Sequence, residues 1–188
     1  MKLNNIILCI LLLVICSCQS DYTKLVKQEL ASGKKNDSVF FNLKFGQTKS
    51  EFFKTCWELN KKQILTHGPN NNYVQSFLYP KDSTNTRDKI RMLFYAKFNP
   101  ENIITAIDIK FSYTAWALWN EDTFAENLLP RIQDTLMKWY PGNPFMKVID
   151  DKLVKVDGNR QIILSVESQR DLSVVIEDLA YKYNKLNK

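Results

Sequence analysis

Apolar residues along this chain fall into stretches of period two and stretches of helical period, and the boundaries between them are marked by turn residues. Val39, Phe41, Leu43 and Phe45 alternate with polar positions and predict a first strand, stopped by Gly46. Thr48-Lys49-Ser50-Glu51 has the form of a capping box and predicts a helix that buries Phe52, Phe53, Cys56, Trp57 and Leu59. Asn60 falls inside that apolar arc, and a buried amide needs partners, so it is expected to fasten the turn-rich loop from His67 to Asn72. Three strands follow. Tyr73 to Tyr79 is the first, with Lys81 to Lys89 as a polar hairpin loop. Ile90, Met92, Phe94, Ala96 and Phe98 give the second an apolar face. After a reversal at Asn99-Pro100-Glu101-Asn102, Ile103, Ile107, Ile109 and Phe111 do the same for the third.

A second helix is expected from about Glu121 to Tyr140, with Phe124, Leu128, Ile132, Leu136 and Trp139 on one stripe. Thr123-Phe124-Ala125-Glu126 again has capping-box form, and Pro130 is expected to kink or split the helix. Leu153 to Val156, Ile162 to Glu167 and Leu172 to Glu177 predict three more strands, with turns at Asp157-Gly158-Asn159 and Ser168 to Arg170. Tyr181 to Lys188 reads as a basic tail. Strands running with one helix per unit predict an α+β fold. It is a two-layer sandwich, an antiparallel sheet with helices on one face, in which a helix-plus-three-strand unit occurs twice in tandem. The arrangement is similar to the outer-membrane assembly lipoproteins and the β-lactamase-inhibitor-like proteins, whose Gly-x-Ser/Thr helix start resembles Gly46-Gln47-Thr48.

Ahead of this body lies a different pattern. Lys2 precedes an unbroken apolar run from Ile6 to Cys16, too short for the roughly 20 residues of a membrane span. It suits the about 7–15 residues of a secretory signal. The run closes on Ile15-Cys16-Ser17-Cys18, which resembles the lipobox of bacterial lipoproteins. That resemblance implies cleavage before Cys18 and lipid, palmitate included, on Cys18. The chain then divides into a signal peptide (1–17), a lipidated cysteine and tether (18–37) and one domain (38–184), with halves at 38–113 and 120–180. Tyr22, Leu25, Val26, Glu29 and Leu30 give the tether a short amphipathic segment. No aspartate follows Cys18, and outer membrane is the favoured location, on its periplasmic or its surface face.

Composition narrows the functions. An apolar fraction of 45% with 12% aromatics is ample for a core, and the +6 formal charge is spread along the chain, so no nucleic-acid patch is indicated. Cys9 and Cys16 leave with the signal and Cys18 carries lipid, which leaves Cys56 without a disulfide partner. One histidine, His67, and scattered carboxylates such as Asp150 and Asp151 offer no metal-ligand cluster, so no metal or other cofactor is expected. A thiol hydrolase built on Cys56 and His67 would need a thiolate, whereas Cys56 lies on an apolar helix face and predicts an inert thiol.

The stretch most suggestive of binding is the connection Tyr113-Thr114-Ala115-Trp116-Ala117-Leu118-Trp119-Asn120. Flat aromatics with polar edges suit sugars, peptides or partner side chains, so Tyr113, Trp116 and Trp119 are the candidate contacts. The plainer reading of Trp116 and Trp119 is that they cover the end of the core beside the second helix. The chain as a whole, through Lys44-Phe45-Gly46, Cys56 to Lys61, Gly68-Pro69-Asn70, Tyr113 to Trp116, Trp119-Asn120 and Trp139-Tyr140, resembles a group of Bacteroidetes lipoproteins of uncharacterised activity. The expectation is a non-enzymatic lipoprotein, held to the membrane by its lipid and binding a protein partner or assisting envelope assembly. The alternative is a domain that binds a small ligand or glycan through Trp116 and Trp119.

Overall fold

The computed structural model describes residues 20–69, 72–80 and 89–186. The expected signal peptide, Cys18 and residues 81–88 of the expected hairpin loop lie outside these. Among the described residues four α-helices run α1 (Asp21–Ala31), α2 (Lys49–Lys61), α3 (Ala125–Trp139) and α4 (Leu179–Leu186). The strands are β1 (Thr66–His67), β2 (Val74–Leu78), β3 (Ile90–Phe98), β4 (Ile104–Tyr113), β5 (Met146–Lys147), β6 (Leu153–Asp157), β7 (Arg160–Val166) and β8 (Leu172–Asp178). They form one antiparallel sheet in the order β1-β2-β3-β4-β8-β7-β6-β5. The tandem unit is therefore real and larger than expected. Each unit is a helix, a two-residue strand and three full strands, and the units join where β4 pairs with β8.

The core lies between this sheet and helices α2 and α3, as an α+β sandwich. The capping box at Thr48 and Glu51 forms as expected: the Thr48 amide donates to Glu51 Oε2 at 2.7 Å and the Glu51 amide to Thr48 Oγ1 at 3.2 Å. Phe52 and Cys56 point inward, while Phe53 and Trp57, expected in the core, are 47% and 60% exposed. Four residues apart, those two share a flank beside the buried stripe. In α3, Ala125, Leu128, Ile132 and Leu136 are buried and Pro130 does not split the helix. A proline this early removes one hydrogen bond, and the buried stripe outweighs it. The expected capping box at Thr123 does not form. The Thr123 hydroxyl donates to the Asn120 carbonyl at 2.7 Å, and the helix N-terminus is met by a backbone bond from Ala125 to the Gln169 carbonyl.

Two further expectations are corrected. Residues 39–45 are a tight turn, not a strand: Phe41 and Asn42 have φ of 54° and 61°, and Val39 N–H meets the Leu43 carbonyl at 2.8 Å. The alternation was real as a burial pattern, since Leu43 and Phe45 enter the core. The turn in addition brings the Phe40 and Phe41 rings to 4.9 and 5.9 Å from Phe94. The C-terminal stretch is helix α4 and not a tail. Leu179 and Tyr183, one helical turn apart, pack against the sheet, and Asp178 Oδ1 accepts from the Ala180 amide at 2.9 Å.

Strand register assigns the faces. Leu153 pairs with Leu164 and faces the main core, so Val154 and its partner Ile163 face away from it. Helices α1 and α4 cover that second face over β6 and β7, with Val26, Val154, Val156 and Leu179 buried together. Burying a valine such as Val26 stabilises the fold by roughly 1.5–3 kcal/mol. The segment read as tether is thus built into the body from Asp21 onward. Polar bonds reinforce it: Glu29 accepts from the Gly158 amide at 2.6 Å and from Asn143 Nδ2 at 2.7 Å, and the Asn36 amide donates to Asn159 Oδ1 at 2.6 Å.

Candidate functional site

Because β1 is two residues long, it covers only Val74 and Gln75 of β2, and the rest of that strand is a sheet edge. A groove lies on each side of this edge region. The first has a volume of about 730 Å³ and is walled by Phe40, Phe41, Ile64, Leu78, Tyr79 and Trp139, with Tyr140 at its base. Ile64, Tyr79 and Trp139 are 44%, 70% and 37% exposed. Among the described residues its lining holds no charged side chain. Lys89 Nζ sits 3.9 Å from the centre of the Phe77 ring and 5.0 Å from that of Tyr79.

The floor of this groove rests on a buried charged group. Tyr140 is 4% exposed, its hydroxyl has no partner among the described residues, and the Arg160 guanidinium lies 4.4 Å from its ring centre. Burial pushes the Tyr140 phenol well above its ordinary range, with Arg160 pulling weakly the other way. The same burial lowers the Arg160 guanidinium, against the pull of Tyr140 and Asp157. Arg160 also donates to the Ser38 carbonyl at 3.1 Å, which ties the start of the 38–45 turn to the β6–β7 hairpin.

The second groove, of about 770 Å³, lies beside α2. Phe53, Trp57, Tyr73 and Tyr95 give it aromatic walls, and His67 and Asn72 supply exposed polar groups. Cys56 and His67, the residues of the thiol reading, both line it, and no hydrogen bond joins them. Desolvation alone pushes the Cys56 thiol up to about 12, so the residue is protonated at neutral pH. Asn60 Nδ2 donates to the Leu65 carbonyl at 2.9 Å. It fastens the turn at the end of α2 and not the loop beyond His67.

The aromatic connection after β4 does not present one shared platform. Tyr113 is half-buried against the core. Trp116 is half-buried too, with Arg170 of the β7–β8 turn 5.4 Å from its ring centre and its indole N–H unpartnered among the described residues. Of its large apolar side chains Leu118 and Trp119 stand out, at 66% and 87% exposure. Among the described residues no group of three or more His, Cys, Asp or Glu side chains converges as metal ligands, and no helix is long and apolar enough to cross a membrane.

Sequence reading missed the first groove because its walls come from elements misread or distant in the chain. Phe40 was on the polar phase of an expected strand, and Ile64 lay in an unassigned segment. The one available signal was Phe41-Asn42, since asparagine tolerates the left-handed backbone a tight turn needs. Comparison of the chain with protein-family models, with curated proteins and with solved structures gives no match.

Proposed function

We propose that this chain is a lipid-anchored envelope protein, favoured in the outer membrane, whose body binds a protein partner and performs no chemistry of its own. The observation that carries the binding reading is the pair of aromatic grooves on either side of an incompletely covered sheet edge. Flat aromatic rings offer large contact areas at low entropic cost, which is why they concentrate where proteins meet. The anchoring reading rests on the lipobox resemblance at Cys18. Only Gln19 and Ser20 separate that cysteine from α1, which is bonded into the body. An acyl anchor there would hold the body against the bilayer by its β6–β7 side, where a membrane-protein partner is reached without a long tether.

The test is crosslinking in intact cells with capture through a C-terminal tag, run alongside metabolic labelling with an alkynyl fatty acid. Cys18→Ser is expected to lose both label and membrane pelleting, and Ile64→Glu, at an exposed groove wall, to lose one defined envelope protein from the crosslinked set. A labelled Cys18→Ser protein would overturn the anchor, and an unchanged crosslinked set would overturn the groove as the contact.

A second reading has its own support. The Trp57, Tyr73 and Tyr95 rings of the second groove stand beside His67 and Asn72, a mixture of apolar faces and short polar groups that suits a sugar ring. Tryptophan-emission titrations with sugars and peptidoglycan fragments test it. Saturable quenching lost in Trp57→Ala supports it, and flat titrations remove it.

A further inference from the structure

The outward side of α1 carries unmatched positive charge. Tyr22, Leu25, Val26 and Leu30 turn toward the sheet, while Lys24 and Lys27 stand exposed on the opposite side of the helix. Lys34 and Lys35, just past its end, are exposed as well. From Asp21 to Lys35 the chain has two carboxylates, and both are engaged. Asp21 lies 3.3 Å from Lys24 Nζ, and Glu29 turns inward to the Gly158 amide and Asn143 Nδ2. None of Lys27, Lys34 and Lys35 forms an ion pair among the described residues. The sheet face that α1 covers continues over β3 and β4, and there the lysines are matched, Lys97 with Asp108 and Lys110 with Glu167. Position adds to charge. Cys18 stands three residues before Asp21, a distance that extended chain spans in at most roughly 10 Å. That is about one Debye length at 0.1 M salt, so charges at the start of α1 and charges at the lipid boundary act on each other.

From this we infer that the outward side of α1, with Lys24, Lys27, Lys34 and Lys35, lies on the anionic phospholipid headgroups of the bilayer that holds the anchor. The inference rests on the anchoring reading above and specifies how the body is oriented on the membrane. An acyl anchor fixes one point and leaves the body free to swing about it. A row of lysines fixes a face. Each lysine brought to an anionic surface strengthens attachment by on the order of fivefold, and a lipid chain with a basic patch is a pair of signals that gives stable attachment. The helix has 11 residues and is therefore about 16 Å long. Lys24 and Lys27 come near the headgroups at many tilts, whereas Lys34 and Lys35 join them only when α1 lies flat. Lying flat, α1 puts the sheet between the bilayer and helices α2 and α3, and both grooves then face away from the lipid.

The experiment is lysine footprinting, by acetylation and mass spectrometry, of the mature chain purified from cells and reconstituted on vesicles. One vesicle set is phosphatidylcholine alone, and the other has a third of it replaced by phosphatidylglycerol. Acetylation of Lys27, Lys34 and Lys35 is expected to fall at least threefold on the anionic vesicles relative to the neutral ones. Lys54 and Lys62, exposed on α2 and at its end, are expected to stay unchanged. Lys27→Gln combined with Lys34→Gln and Lys35→Gln alters exposed side chains alone and keeps Lys24 as a reporter, whose protection on anionic vesicles should then be lost. Equal acetylation on the two vesicle sets overturns the inference. Equal protection of Lys54 and Lys62 does so too, because the anionic surface then selects no face, and so does Lys24 protection that survives in the triple variant. Co-sedimentation of the same samples separates this inference from the anchor. A chain that pellets with phosphatidylcholine and shows equal footprints keeps the anchor and loses the headgroup contact. One that pellets with anionic vesicles alone, with Lys27 protected, keeps the contact and loses the anchor. One that pellets with neither loses both.

Discussion

Lys155 Nζ lies 2.8 Å from Asp157 Oδ2, with side-chain exposures of 0% and 5%, on the core-facing side of β6. The contact is off the line of a hydrogen bond, and Asp157 spends its other oxygen on the Asn143 amide at 2.8 Å. Arg160 Nη2 is 4.0 Å from the same Asp157 oxygen. One carboxylate therefore faces two buried cations. Removing one member of such a group strands a charge in the core, at a cost of about 3–5 kcal/mol. Asp157→Ala is expected to lose that much unfolding free energy in urea titration, and Lys155→Met combined with it to recover a large part. A single variant within 1 kcal/mol of the parent, on the order of an ordinary surface change, would show that the pair does not hold the hairpin.

Gly158 is where the N-terminal helix meets that hairpin. Its φ is 58°, and a Cβ there would stand 2.3 Å from the Lys34 carbonyl oxygen. Gly158→Ala is expected to cost about 1–2 kcal/mol for the left-handed backbone and to push residues 34–36 away. Native-state hydrogen exchange should then speed up in α1 while β3 and β4 keep their protection. Unchanged α1 exchange would mean that the Val26 contact alone fixes the helix.

The two tryptophans of the connection after β4 should separate cleanly. Trp119, at 87% exposure, is expected to change stability by less than about 0.5 kcal/mol when replaced by alanine. Trp116→Ala removes a half-buried ring and its contact with Arg170, and should cost about 1–3 kcal/mol. Thermal denaturation of both variants decides this, with acrylamide quenching of emission falling most in Trp119→Ala.

Much of the fold was legible because burial and period coincide in the long elements. Phe52 and Cys56 in α2, Ile90 to Ala96 in β3 and Leu128 to Leu136 in α3 sit where their spacing puts them. Failures came where tertiary contact overrode local pattern. Phe41 and Asn42 break a perfect alternation because a turn places Leu43 and Phe45 as well as a strand would. Thr66–His67 and Met146–Lys147 are strands only through their partners, and two residues carry no period. Lys155 is the sharpest case: sequence reading places a lysine in solvent, and its burial is explained by Asp157, two positions along the same strand face, together with the Asn143 carbonyl to which its ammonium donates. The candidate site was least legible of all. Its groove joins residues 40, 64, 79 and 139, which no short-range pattern connects.

Cys56 links stability to alkaline pH, and the sign is fixed by its environment. Burial pushes its thiol up to about 12, while an unfolded cysteine ionises near 8.5. Between those values the folded chain keeps a proton that the unfolded chain has lost, so stability falls as pH rises, by at most about 1.4 kcal/mol per pH unit. The contribution is fully present below about pH 8. Replacing Cys56 with alanine removes this dependence, whatever its constant cost in packing. The stability difference between parent and Cys56→Ala is therefore expected to shrink by up to about 2 kcal/mol between pH 8 and pH 10. Tyrosine titration, shared by both proteins, cancels in that difference. A parallel experiment with iodoacetamide at pH 8 should modify the thiol in guanidinium and leave it untouched in the folded chain. Rapid modification of the folded protein, together with a constant stability difference across that pH range, would mean that Cys56 ionises as a free thiol does and that a nucleophile faces the second groove beside His67.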